Sequence, residues 1–129
     1  MGTTILTADD DQRFQAIVRR CLEENPDLSL VGQATDGEQA VRLARELQPD
    51  VVLMDISMPR LNGLEATRQI KAEQPNTKVV IVTIHDEEPY RKAAAESNAD
   101  SFLCKKTLRT TLLPTIRQVM AEGQARKVS

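Results

Sequence analysis

The sequence predicts an α/β domain of the doubly wound class: a parallel five-stranded sheet of order 2-1-3-4-5 with helices on both faces. Three observations carry this reading. Short apolar runs alternate with amphipathic stretches along almost the whole chain. Several of those runs are continuously apolar, the pattern of strands covered on both faces. The length, 129 residues, suits one domain with a genuine core.

Taken in order, the strands are expected at "TILTA" (4–8), "LSLVGQA" (28–34), "VVLM" (51–54), "KVVIVTI" (78–84) and "SFLC" (101–104). Helices fall between them. Phe14, Ile17, Val18, Cys21 and Leu22 share one face at helical spacing. Ala40, Leu43, Ala44 and Leu47 form a second stripe, which Pro49 ends. A weaker helical pattern covers 63–73 and stops before Pro75. In 88–97, Pro89 suits a first turn and Ala93, Ala94 and Ala95 suggest a tightly packed face. Leu108, Leu112, Ile116, Val119 and Met120 mark the last helix, where Pro114 predicts a late start or a kink. The domain is expected to span 1–122, with 123–129 a flexible tail or the start of a linker.

Composition excludes several classes. Aromatic residues are only 2% of the chain, so the core must be built from Leu, Ile, Val and Ala. A net charge of -2 provides no broad attraction to nucleic acid or acidic membranes. No basic recognition element is present, and direct DNA binding by this chain is not expected. Cys21 and Cys104 sit inside apolar patterns and only one histidine accompanies them, which disfavours zinc and suggests two buried reduced thiols. With no signal peptide and no apolar run of membrane-spanning length, the expected location is the cytoplasm, without membrane contact.

Chemistry concentrates where the strands end. Asp9, Asp10 and Asp11 follow the first strand, Asp55 the third and Lys105 the fifth, while Thr83 closes the fourth. In the order 2-1-3-4-5 these four strands are neighbours, and ligands bind at the carboxyl edge of such sheets. Each residue also has an ordinary reading. The aspartates could cap a helix, Thr83 could be a plain strand residue, and Lys105 could be a solvated loop charge beside Lys106. Asp55 resists that treatment, because a carboxylate ending a buried strand is costly unless paired. As a set, clustered carboxylates with few protein ligands suit Mg²⁺ (or Mn²⁺). A carboxylate beside that ion can attack a phosphoryl group, with the ammonium and hydroxyl stabilising the transferred oxygens.

The segments "ILTADDD", "VVLMDISMPRLNGLEATRQI", "VVIVTIHDE" and "SFLCKK" together resemble the receiver domain of two-component response regulators, with motif order and spacing matched from residue 4 to about 121. The Met-Pro and Asn-Gly pairs after Asp55, and the Thr-x-His-Asp segment at 83–86, are most similar to the NarL/FixJ subfamily. The resemblance implies a flavodoxin-like (βα)5 receiver fold. It makes Asp55 the phosphoacceptor and Asp10 a direct Mg²⁺ ligand, with Asp9 acting indirectly and the backbone carbonyl of Ser57 completing the set. Thr83 becomes the switch hydroxyl, Phe102 the aromatic that moves with it, and Lys105 the phosphoryl-binding ammonium. Ser57 and His85 occupy the positions that tune dephosphorylation, and Asp11 reads as a helix cap. Three local features depart from the family pattern: Lys106 directly after Lys105, the glycine-free "ESNADS" before the fifth strand, and Pro114.

The implied function is a phosphorylation switch. A sensor histidine kinase donates the phosphoryl group, the domain catalyses only its own phosphorylation and dephosphorylation, and the output is transcription if a DNA-binding domain follows. Homodimerisation on phosphorylation is a family expectation. The alternatives are a pseudo-receiver that works through contacts alone, an aspartyl-phosphate hydrolase, and an FMN-binding module of the same topology. The hydrolase would want a second Asp where Ser57 stands, and the FMN module would want a phosphate-cradling loop where "ADDDQR" stands.

Overall fold

The computed structural model describes the backbone of residues 2–128 and the side chains of residues 2–122. Strands and helices alternate: β1 (Thr3–Ala8), α1 (Gln12–Glu23), β2 (Leu28–Ala34), α2 (Gly37–Leu47), β3 (Val51–Met54), α3 (Gly63–Glu73), β4 (Lys78–Thr83), α4 (Glu88–Glu96), β5 (Ser101–Cys104) and α5 (Leu108–Val128). A 3-10 turn over Lys105–Thr107 joins β5 to α5. The sheet is parallel and five-stranded, in the order β2-β1-β3-β4-β5.

The two-residue period of the strands sorts the core into two layers. Ile5, Val51, Leu53, Val80, Val82 and Leu103 pack against Val18 and Leu22 of α1 and Leu108, Leu112, Ile116 and Val119 of α5. Their alternate neighbours Leu6, Ala8, Val52, Met54, Val79 and Ile81 pack against Ala40 and Ala44 of α2, Ala66 and Ile70 of α3, and Ala94 of α4. All four residues of β3 are buried, so both faces of the central strand are covered. The edge strand β2 carries a register shift opposite Ile5 and Leu6. Val31 at that shift is 38% exposed.

Four expectations need correction. Leu47 is 40% exposed, lying at the end of α2. Of the three alanines in α4 only Ala94 is buried, because a helix covering a sheet edge presents a narrow stripe. Cys21 and Cys104 are free but only partly buried, Cys21 lying at the margin of the α1 stripe beside Ala16, Arg20 and Arg109. Finally, of the two outcomes expected from Pro114, a late start or a kink, the late start does not occur. The helix α5 begins at Leu108 and carries Pro114 inside. Thr110, whose carbonyl loses its helical donor to the proline ring, is exposed with Pro114, so water can solvate that group.

The tail expected at 123–129 falls on residues whose side chains lie outside the described set, although the backbone of α5 is helical to Val128. Among the described residues no helix is long and apolar enough to cross a membrane.

Candidate phosphoacceptor site

Asp9 and Asp55 are extensions of neighbouring strands. The Asp9 N–H donates to Ala34 O (2.9 Å) and the Asp55 N–H to Ala8 O (2.9 Å), so each backbone is tied to the adjacent strand end. Asp55 continues the side of β3 that carries Val51 and Leu53, and Asp9 the side of β1 that carries Ile5 and Thr7. Both carboxylates therefore turn toward the α1/α5 layer, where Thr7, Phe14, Gln15, Val18 and Val82 line one small void with them. Asp9 and Asp55 are 4% and 6% exposed, whereas Asp10 faces solvent.

Lys105, first residue of the turn after β5, completes the arrangement. Its Nζ lies 2.7 Å from Asp9 Oδ2 and 3.5 Å from Asp55 Oδ2. It also sits 4.3 Å above the centre of the Phe14 ring, whose π face favours a cation. Asp9, Asp10 and Asp55 each offer a carboxylate oxygen within 4.8 Å of the others. Three hard oxygen donors, one of them open to solvent, fit a divalent cation such as Mg²⁺ that keeps part of its water shell.

Burial pushes the Asp55 carboxyl up to about 6, with the negative charge of Asp9 adding to the effect and Lys105 opposing it. A second cation near Asp55 would favour its ionised, nucleophilic form.

The main chain around Asp55 is held by a close approach. A Cβ on Gly63 would lie 1.8 Å from Asp55 O, so only glycine lets the first turn of α3 rest on this peptide. The Gly63 N–H donates to Ile56 O (2.9 Å), and Asn62 caps α3 by accepting from the Glu65 N–H (3.0 Å). The Asn-Gly pair after Asp55 is thus a cap followed by a contact point. Arg60, in the left-handed region at φ 69°, reaches back to Asp36 Oδ2 (2.7 Å) and ties the loop to the start of α2. Hydrogen bonds from the Gln39 N–H and from Arg60 hold the Asp36 carboxyl below the usual range.

The remaining expected residues stand nearby but are not all brought together. Thr83 is fully buried at the end of β4, and its hydroxyl accepts from the His85 N–H (3.3 Å). By strand parity it belongs with Val79 and Ile81, on the α2–α4 side of the sheet. Phe102 pairs with Ile81 on the same side, and the Arg91 guanidinium covers its ring at 4.7 Å. His85 stacks on Tyr90, centroids 4.5 Å apart. Ser57 is exposed in the loop after Asp55, and Lys106 is exposed beyond Lys105. Asp11 caps α1, accepting from the Arg13 and Phe14 N–H groups. Sequence reasoning missed Gln15, a buried polar side chain beside Asp9. The signal was available: Gln15, Val18 and Leu22 are spaced as one buried helical stripe.

Residues 5–117 match the family of response regulator receiver domains. The chain belongs to that family. This receiver domain is 41% identical over 117 residues to the response regulator GacA of Pseudomonas aeruginosa, covering 91% of this chain and 55% of the relative. It is 39% identical over 121 residues to the transcriptional regulatory protein DegU of Brevibacillus brevis, covering 94% of this chain and 51% of the relative. The signal receiver domain of NarL from Mycobacterium tuberculosis superposes with a TM-score of 0.86 at 28% identity, covering 91% of this chain and 94% of that one. These likenesses put the receiver domain in the NarL/FixJ-like branch. The chain spans about half the length of the curated relatives it matches.

Proposed function

We propose that this receiver domain takes a phosphoryl group from a sensor histidine kinase onto Asp55, in a reaction that requires Mg²⁺, and so switches the conformation that controls an output. The observation that carries the reading is the position of Lys105 Nζ between Asp9 Oδ2 and Asp55 Oδ2, at the edge of a three-carboxylate cluster. A buried nucleophile, a fixed ammonium and a place for a divalent cation are what in-line transfer to a carboxylate needs.

Asp10, Asp55 and the Ser57 carbonyl would hold the ion, with Asp9 acting indirectly, and the ion when bound supplies positive charge to the phosphoryl oxygens. An oxygen of Asp55 attacks phosphorus as the bond to the kinase imidazole nitrogen breaks. The electron pair of that bond returns to the nitrogen, which takes a proton from solvent. Lys105 then exchanges Asp9 for a phosphoryl oxygen, and the Thr83 hydroxyl gives up the His85 N–H to donate to another. Phe102 follows Thr83, since both lie on the same side of the sheet. Ser57 and His85, two residues beyond Asp55 and Thr83, set how readily water reaches the acyl phosphate.

The likeness to a transcriptional regulatory protein supports a transcriptional output in the longer protein. On this reading 123–129 lead into a linker, the protein works in the cytoplasm, and phosphorylation promotes homodimerisation.

The test is intact-mass spectrometry after incubation with acetyl phosphate and Mg²⁺. A hydroxylamine-labile gain of one phosphoryl group, lost in Asp55→Asn and in EDTA, is the expected result. A folded wild type that gains nothing from acetyl phosphate or a phosphorylated kinase would leave a phosphorylation-independent interaction module.

A further inference from the structure

We propose that Gln15 is a positioning residue for the acidic pair, orienting the peptide that carries Asp10 and so setting the affinity of the site for its divalent cation. The inference rests on the reading of Asp9, Asp10 and Asp55 as a Mg²⁺ site.

Gln15 lies on α1 yet is only 6% exposed, among the apolar residues that cover β1. An unsatisfied buried amide would be costly, and this one is satisfied on both sides. Its Nε2 donates to Asp9 O (2.9 Å) and to Ala34 O (2.9 Å). Its Oε1 accepts from the Thr7 hydroxyl and from Gln33 Nε2 (3.2 Å). Main-chain carbonyls can only accept, so the amide has one orientation that works, with nitrogen toward the strand ends.

The location of the two donated bonds gives them their consequence. Asp9 O belongs to the peptide unit that joins Asp9 to Asp10. The other side of Asp9 is already tied, its N–H donating to Ala34 O. Gln15 therefore fixes the remaining peptide plane and joins it to the end of β2. The Asp9 carboxylate has its own supports, accepting from the Asp11 N–H (2.9 Å) and from Lys105. Asp10, the exposed member of the cluster, leaves the chain immediately after the plane that Gln15 holds. Removing the amide frees that plane, and the ligand geometry must be bought back from the binding energy of the ion. Outer contacts of this kind typically change metal affinity about 10–100-fold.

The experiment is a Mg²⁺ titration followed by backbone amide NMR, which reads the folded molecules only. It compares wild type, Gln15→Met, Thr7→Val, the double variant, and Leu22→Ala as a core-weakened control. The rate of Asp55 phosphorylation by acetyl phosphate is measured across the same Mg²⁺ range. Gln15→Met is expected to raise the Mg²⁺ half-saturation about tenfold, with the phosphorylation rate recovering to within about twofold at saturating Mg²⁺. Thr7→Val, which removes one donor that orients the amide, moves it less. Its effect disappears in the Gln15→Met background, as coupling through the amide requires. Leu22→Ala loses stability without moving the half-saturation.

An unchanged half-saturation in Gln15→Met, or a shift matched by Leu22→Ala, overturns the positioning role and leaves Gln15 a packing residue. If Gln15→Met does not fold, Thr7→Val alone decides, and an unchanged half-saturation there overturns the proposal. A wild type that binds no Mg²⁺ defeats the reading of the site itself. That outcome is separable, because it appears before any variant is compared.

Discussion

Lys105 is closer to Asp9 than to Asp55, at 2.7 Å against 3.5 Å. The ammonium therefore first neutralises Asp9 and only secondarily Asp55, the carboxylate expected to react. Two buried carboxylates with no cation beside them would be strongly unfavourable, so Lys105 serves as a structural counter-ion whatever else it binds.

From this follows a metal-dependent stability defect. Lys105→Met is expected to cost about 3 kcal/mol in EDTA, the size of a broken buried pair. Part of that loss returns in Mg²⁺, because a bound cation replaces the missing charge and stabilises the folded state by mass action. Urea denaturation with and without Mg²⁺ measures both numbers. An identical loss in the two buffers would show that Lys105 does not share its carboxylates with an ion.

The Asp55 carboxyl, raised to about 6 by burial and by Asp9, makes stability depend on pH in a defined direction. The folded protein holds the proton more tightly than the unfolded chain, whose carboxyl titrates near its ordinary value. Stability from this group is thus fully present below about pH 4 and lost as the pH rises through 6. In metal-free buffer Asp55→Asn is expected to exceed wild type by up to about 3 kcal/mol at pH 7. The advantage shrinks to nothing below about pH 4. Denaturation midpoints of both proteins between pH 4 and 8 give the difference, and a gap independent of pH would contradict the assignment to Asp55.

Gly63 tests how tightly Asp55, the proposed phosphoacceptor, is tied to the helix that follows. With only 1.8 Å between an added Cβ and Asp55 O, Gly63→Ala forces α3 and the Asp55 peptide apart. The expected cost is about 3 kcal/mol of stability, at the upper end of overpacking effects. Phosphorylation by acetyl phosphate should slow about 100-fold in the molecules that remain folded, the scale of a 1 Å misplacement. Wild-type rates in a folded Gly63→Ala protein would show that the loop absorbs the added methyl group.

Asn98 explains how the chain enters β5 without a glycine. It adopts φ 73°, a left-handed conformation that Asn tolerates better than other residues with a Cβ. Asn98→Ala should cost about 1 kcal/mol, while Asn98→Gly should stay within about 0.5 kcal/mol of wild type. Chemical denaturation of the two variants measures the contrast, and equal losses would point to a side-chain contact instead of backbone strain.

The topology was legible in the sequence because it depends on local patterns. Continuous apolar runs marked β3 and β4 as covered on both faces, helical stripes marked α1 and α2, and Pro75 and Pro89 bounded their helices. Asp55 stood out because charge at the end of a buried strand is expensive. Asp9, Asp10 and Lys105 stood out because they end strands that the order 2-1-3-4-5 makes neighbours, and the family likeness then assigned each a role. Less visible were features that depend on neighbours distant in the chain. The place of Pro114 inside α5 was decided by exposure of its lost hydrogen bond, and the exposure of Leu47 by where α2 ends against the sheet edge.

What the sequence by itself determined was the alternation of elements and the residue types at the strand ends, since periodicity and turn chemistry act over a few residues. Only the tertiary structure decided the contacts among them. Strand parity turned Asp9 and Asp55 toward one layer and Thr83 and Phe102 toward the other. The parallel register carried Lys105 across to Asp9, and the packing of α1 placed the Gln15 amide under the Asp9–Asp10 peptide. These are distances between residues far apart in the chain, and they exist only once the sheet has closed.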